Sequence, residues 1–432
     1  MKINKKNIFI CAILVAMMLL CISAASASDA TDDTLASDDA SVELGASGDT
    51  IYVDSSSTTD DEQGTESNPY KTISAAVNSE NVTGGETIFI KNGNYSESSA
   101  LSFTKSVNLV GESKEGVAIA TEGNIAMLTT SSAVSAVLSF ENLTFKDSAR
   151  TGGNGLMFFA GTVDLNFTNC NFIDLSSKYG AMQTNTAGTI NIKDCTFSNV
   201  KEKSNSPGAG AMYLNGGGVT NIYNTIFENC GYEAASGQMN ALIYVYGSKN
   251  TLNMDRVIIR NTTGPATSII RSSGVININN SKIVNNTVSL SSTGYVGDSL
   301  FYVTGELNIN QSVVSDNNGP KLFLYKNTAA DFTMNYCNVM NNTFDNGFTD
   351  SSAGDYDVNY NYWGSNKLPS GVEADVRVIV KDGAYQLSNG QPLTVEIPDL
   401  PEPKEDEPAP EIIYADAEKG SDSNTGAETA PV

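Results

Sequence analysis

The chain has no histidine among its 432 residues. Acid-base or metal chemistry therefore falls to carboxylates, arginines, lysines, tyrosines and cysteines. Proton abstraction needs a basic group beside acids, and glycoside hydrolysis needs two carboxyl groups at a defined separation. After the first 27 residues the arginines are Arg150, Arg256, Arg260, Arg271 and Arg377. Arg260 and Arg271 flank one short stretch, with Asp255 just before it, and this is the one constellation with a catalytic composition. Catalytic carboxylates usually converge in number, whereas the other acids here are scattered, so the residues favour binding over catalysis.

Two further sets could hold a ligand. Asp422-Ser423-Asn424-Thr425-Gly426 begins as a calcium loop does, with Asp422 and Asn424 as ligands, but lacks the closing Glu of an EF-hand and reads equally as a turn. Tyr179, Tyr213, Tyr244, Tyr246, Tyr302 and Tyr325 lie in comparable places on successive repeats. Such a stripe can stack sugar rings, or it can simply pack long side chains over a surface. Zinc is excluded by the absence of histidine and of any CxxC pair.

What must position these residues is a repeat. Residues 189–199, TINIKDCTFSN, recur on both sides, with large apolar anchors at Phe145, Phe172, Phe197, Phe227, Ile258, Ile283, Val313, Val339 and Trp363. The successive spacings are 27, 25, 30, 31, 25, 30, 26 and 24. Three residues before most anchors stands a small polar residue: Asn142, Asn169, Asp194, Asn224, Asp255, Asn280 and Asn310. A second polar position follows each anchor by two, with Arg260 as an exception. Short alternating strands such as Val163-Asp164-Leu165-Asn166-Phe167 send apolar residues to one face. One such unit is too small to bury that face, whereas coils stacked about 4.8 Å apart form a continuous interior. The fold expected is all-β, a parallel β-helix over residues 50–366, with Asn where the backbone must turn left-handed.

Strand 50–54 and a short helix following Asn68-Pro69, with the proline in its first turn, would cap the first coil. An uncovered end would expose core and strand edges alike. Residues 116–139 hold one or two less regular coils. Extra length falls at 201–210, 231–238 and 289–298, read as projecting loops. Residues 367–398 form a closing β segment with a turn at Lys381-Asp382-Gly383, and residues 399–411 an extended Pro and acid linker. Ile413-Tyr414-Ala415-Asp416 repeats Ile51-Tyr52-Val53-Asp54, so residues 412–432 read as the start of a second cap, truncated.

The coil motif, the cap and the closing run Asn359-Tyr360-Asn361-Tyr362-Trp363-Gly364 resemble the adhesin-like surface proteins of methanogenic archaea. These belong to the pectate-lyase-like superfamily of right-handed parallel β-helices. The resemblance spans about residues 50–366 and the last twenty or so. It implies a right-handed coil and a surface role in binding glycans or other cells' surface proteins. It leaves two alternatives open, a polysaccharide lyase or other carbohydrate-active enzyme and a purely structural envelope component. Lyases of the superfamily would carry clustered Asp residues, calcium and a basic residue that abstracts the proton.

Residues 1–27 open with Lys2, Lys5 and Lys6, continue through an apolar run and end in Ala24-Ala25-Ser26-Ala27, the pattern of a secretory signal peptide. Residues 28–49 are small, polar and acidic, an expected disordered leader. No second apolar span follows, which places the protein outside the cell or at its surface with no transmembrane span in the mature chain. A net charge of -24 and a pI near 4.3 argue against nucleic acid and anionic membrane as partners. Cys170 and Cys195 lie on adjacent coils, about 5 Å apart at the backbone if in register, close enough for a disulfide or for a ladder of free thiols. Asn81, Asn94, Asn166 and Asn261 head glycosylation sequons outside the polar ladders. No cofactor is expected beyond the calcium loop.

Overall fold

The computed structural model describes residues 50–203, 208–232, 241–263, 268–288, 299–349 and 354–403. The signal segment, the leader, the calcium loop at Asp422 and Asn424, and the second cap lie outside them.

The described chain winds as a parallel β-helix with three faces. The coil is right-handed, as expected for connections between parallel strands. One full turn runs through Glu86–Ile90 on face A, Gly93–Glu97 on face B and Leu101–Ser102 on face C, and the next through Val107–Gly111, Val117–Thr121 and Leu128–Thr129. Each strand pairs in parallel with its counterpart one coil on. Residues 116–139 therefore contribute a single coil, continued by Ser135–Glu141 on face A. Met157–Thr168 serves face C with its first half and face A with its second.

Burial follows the period of two: Val163, Leu165 and Phe167 are buried, with Asp164 and Asn166 outside. Inside, like residues stack. Phe172 and Phe197 lie 4.2 Å apart between ring centroids, and Phe197 and Phe227 4.5 Å. Each fully buried ring contributes about 1.5–3 kcal/mol relative to an exposed one.

From Asn142 onward the corners are made by left-handed residues, two per coil. The first corner has positive φ at Asn142, Asn169, Asp194, Asn224 and Asn280, but at Arg256 and Gln311 rather than Asp255 and Asn310. The core partner of Phe227 is accordingly Ile259, and that of Ile283 is Val314. The sequence register thus slips by one residue in two coils, because it follows polar side-chain type where backbone conformation governs. The second corner is regular throughout, with Asn261, not Arg260, left-handed in its coil.

The N-terminal cap is strand Thr50–Val53 on Thr87–Ile90 and helix Ile73–Val77. Thr72 is the N-cap, its side chain accepting from the Ala75 N–H, so Pro69 precedes the helix instead of occupying its first turn. The Glu97 carboxylate accepts from the N–H groups of Ile73 at 3.0 Å and Ser74 at 3.2 Å, tying helix to first coil.

At the far end Val378–Lys381 and Ala384–Leu387 form an antiparallel hairpin around Asp382 (φ 53) and Gly383 (φ 73). The chain beyond it does not leave at once. Asp399 pairs with Lys282, the Asn338 amide donates to the Asp399 carbonyl at 2.7 Å, and Tyr385 Oη donates to the Pro401 carbonyl at 2.8 Å. The first residues of the expected linker are docked on the shaft.

Candidate functional site

Face C carries a column of large side chains because its strands are in register and its outward positions alternate with Met212, Ile243, Ile270, Phe301 and Leu324 inside. The outward column reads Gln183, Tyr213, Tyr244, Arg271, Tyr302, Tyr325. The Arg271 guanidinium lies 4.6 Å from the Tyr244 ring centroid and 4.4 Å from that of Tyr302, a cation held between two π faces. Tyr302 stacks on Tyr325 at 4.7 Å. Tyr179 lies 4.7 Å and Tyr246 5.9 Å from Tyr213.

The six tyrosines expected on one stripe are on one face, but they are not equivalent. Tyr244 and Tyr302 are buried, Tyr179, Tyr213 and Tyr325 half-buried, and Tyr246 stands 47% exposed. Burial pushes the Tyr213 hydroxyl upward, with Tyr244 adding to the shift.

Beside this column is a group that sequence reasoning missed. Glu202 stands in register between Ser177 and Tyr232 on successive coils of face B. Its side chain is fully buried, and neither carboxyl oxygen has a hydrogen-bond partner. Burial pushes its pKa from 4.5 up to about 9, against a small opposing pull from Lys178. Glu202 is therefore a neutral acid at pH 7. Tyr232, also buried, donates its hydroxyl to the Ala241 carbonyl, and burial and then Glu202 raise its pKa. In sequence, Lys201-Glu202-Lys203 reads as a solvated charged loop, and only the stacking of coils reveals otherwise.

The constellation anticipated from sequence is dispersed. Asp255 ends a face A strand and pairs with Arg256 at 3.2 Å. Arg260 lies on face B and meets Glu228 of the preceding coil at 2.7 Å. Arg271 is on face C. Three consecutive sides of one coil separate what chain proximity had suggested.

Cys170 and Cys195 are free, buried thiols instead of a disulfide. Each follows a left-handed corner, where its backbone N–H points inward, and the side chain of the next coil receives it. Cys170 N–H donates to Cys195 Sγ at 3.4 Å, Cys195 N–H to Thr225 Oγ1 at 3.3 Å, and Ser281 N–H to Ser312 Oγ at 3.0 Å. In-register stacking makes these side chains parallel, whereas a disulfide needs Cβ vectors that converge. Burial pushes Cys230 and Cys337 up to about 12, far from nucleophilic.

Among the sequons, Asn81 and Asn94 are exposed. Asn166 and Asn261 are ladder members, accepting from the amides of Asn191 at 2.9 Å and Asn285 at 2.7 Å. These bonds use the side-chain oxygens, and the Asn166 amide nitrogen donates to Ser139 Oγ at 3.4 Å. Among the described residues no group of three His, Cys, Asp or Glu could hold a metal ion, and no helix is long and apolar enough to cross a membrane.

Comparison with known proteins agrees with this architecture. Residues 116–301 match the model of the right-handed β-helix region family. A search of curated proteins found no match. Among solved structures the chain is similar to pectate lyase Pel9A, with 14% identity, TM-score 0.36, and coverage of 73% of this chain and 80% of that one. It is also similar to ORF18 of Geobacillus virus E2, at 11% identity, TM-score 0.35 and coverage of 78% and 62%. Against the alginate lyase AlyGC the figures are 13%, 0.30, 71% and 53%, so the chain spans about half that enzyme's length. These likenesses concern the fold alone.

Proposed function

We propose that the protein is a secreted, adhesin-like surface protein whose β-helical shaft binds glycans, or glycan-bearing surface partners, on the tyrosine side of face C. The observation that carries this reading is the column in which Tyr213 is flanked by Tyr179 and the exposed Tyr246, and which the Tyr244–Arg271–Tyr302 sandwich continues on the following coils. Rigid aromatic faces half open to water are suited to the apolar faces of sugar rings and lose little conformational entropy on contact. The signal-like first 27 residues and the acidic charge fit an exposed location. Dispersal of Asp255, Arg260 and Arg271 weighs against a lyase centre built from them.

Glu202 favours one second reading, a carbohydrate-active enzyme using a neutral carboxylic acid as proton donor. Its complete burial opposes direct contact with a polymer, which leaves binding as the better-supported function. The test is retention of the secreted protein on immobilised neutral and acidic polysaccharides, with ultraviolet absorbance followed for unsaturated products. Retention without product, weakened about three- to tenfold by Tyr246→Ala, is expected. Product formation lost on Glu202→Gln would replace this reading with the enzymatic one.

A further inference from the structure

The folded shaft sorts the glycosylation sequons by what their side chains do, and one stands apart. Asn94-Tyr95-Ser96 lies in Gly93–Glu97, the first strand of face B. Alternation turns Tyr95 into the core and leaves Asn94 and Ser96 exposed on the same outward side, so the acceptor amide and the hydroxyl of the motif both face water. Among the described residues no hydrogen bond engages the Asn94 amide. There is also room around it. The next coil sets only methyl groups beside the motif, Ala118 opposite Asn94 and Ala120 opposite Ser96, and on its other side the strand has no strand partner. The other sequons are committed elsewhere. The Asn81 amide donates to the Gln63 carbonyl at 3.0 Å and to Tyr70 Oη at 3.3 Å, and Asn166 holds a rung of the face A ladder through both nitrogen and oxygen. Asn261 turns a corner at φ 56 and accepts from Asn285. Asn279 is exposed, but the hydroxyl of its motif belongs to the buried Ser281, which donates to the Asn279 carbonyl and accepts from the Val257 N–H.

We propose that Asn94 carries an N-linked glycan in the mature protein, an inference that rests on the secreted location proposed above. In the transfer a bond forms between the Asn94 amide nitrogen and the anomeric carbon of a sugar chain borne on a polyprenyl diphosphate. The bond from that carbon to the carrier oxygen breaks, the diphosphate leaves with the electron pair, and the amide gives up one proton. A glycan is bulky and hydrated, so whether it is attached before or after folding it must stand in solvent in the finished shaft. Asn94 meets that condition with no hydrogen bond broken and no core side chain moved. A glycan on Asn81 or Asn166 displaces an amide hydrogen that already has an acceptor.

The test is to secrete the full chain from a host that N-glycosylates its secreted proteins, once with its own first 27 residues and once with a host signal peptide in their place. Peptide mass mapping of the folded, secreted protein reads the occupancy of each sequon. Occupancy at Asn94 at least about fivefold that at Asn81, Asn166 or Asn261 is expected. Asn94→Gln and Ser96→Ala should each abolish the added mass on that peptide, and Ser96→Thr should keep it. All three change exposed side chains and should leave the circular dichroism spectrum unaltered. If only the host signal peptide yields secreted protein, the secretory reading of residues 1–27 fails, and occupancy at Asn94 in that protein still decides the acceptor. An unmodified Asn94 in the secreted protein, a ladder asparagine occupied more fully than Asn94, or added mass that survives Ser96→Ala would overturn the proposal.

Discussion

The backbone N–H of Cys170 donates to the thiol of Cys195 on the next coil at 3.4 Å. The same slot is filled by Thr225, Ser281 and Ser312 on other coils, so its requirement is a small side chain with an acceptor atom. Cysteine here is a substitute for serine, not half of a crosslink.

The slot predicts a specific ordering of variants. Cys195→Ser keeps the acceptor and should change stability little. Cys195→Val removes it and leaves a buried N–H unpaired, at about 1–3 kcal/mol. Guanidinium denaturation of the two variants checks the order, and equal midpoints would remove the acceptor from the explanation. Alkylation of unreduced, unfolded protein should label all four cysteines outside the signal segment.

Glu202 predicts a pH dependence with a definite sign. Its folded pKa is raised, so its contribution to stability is fully present below the unfolded value near 4.5 and is lost as pH rises toward about 9. Within that window the folded state holds a proton that the unfolded state has released, and stability falls by about 1.4 kcal/mol per pH unit from this group. Glu202→Gln is neutral at every pH and should be spared. The gap between variant and parent should therefore widen from pH 5 to pH 8.5 in denaturation midpoints, and parallel profiles would count against a protonated Glu202.

The outer surface of face A carries an amide ladder. Asn191, Asn221, Asn253, Asn277 and Asn308 each donate to the side-chain oxygen of the Asn one coil before, at 2.9–3.0 Å. Asn221→Asp removes the donor to Asn191 and sets a carboxylate against its carbonyl oxygen. The introduced acid should cost about 1 kcal/mol at pH 7. Protonation restores a donor, so the folded pKa of the new group is raised and the cost should shrink below pH 4. Thermal unfolding at pH 3 and pH 7 measures the difference, and an equal cost at both values would mean that the ladder oxygen of Asn191 is not the partner that matters.

How far the sequence discloses this molecule depends on where the information sits. Alternation in Val163 to Phe167 and recurrent Asn at corners are local, and they suffice for the solenoid, as strand 50–54 with Asn68-Pro69 does for the cap and Lys381-Asp382-Gly383 for the closing hairpin. Glu202 is different. Its burial comes from Ser177 and Tyr232 on neighbouring coils and from Gly208, where an added Cβ would stand 2.5 Å from Glu202 Oε1. Phe323, Phe344, Phe348 and Trp363 likewise meet around one pocket, from segments whose lateral packing no period encodes. Conversely, Arg260 and Arg271 are close in the chain and still sit on different faces, because a coil turns a corner between them.

The register slip at Gln311 gives the last prediction. Gln311 holds φ 44 at a corner where Asn142, Asn169, Asn224 and Asn280 hold the same conformation. A left-handed backbone costs a residue with an ordinary Cβ roughly 1–2 kcal/mol, and Asn reduces that cost through local hydrogen bonding of its short side chain. The Gln311 side chain has little to lose, a 3.3 Å bond from the Asn310 amide and a 3.4 Å bond to the Glu396 carbonyl. Gln311→Asn should therefore stabilise the shaft by about 1 kcal/mol, whereas Asn310→Gly should not, because Asn310 ends a strand. If the left-handed corner instead lay at residue 310, as its side-chain type suggests, Asn310→Gly would be the tolerated change and Gln311→Asn would be neutral. Denaturation midpoints of the two variants decide which residue turns the chain.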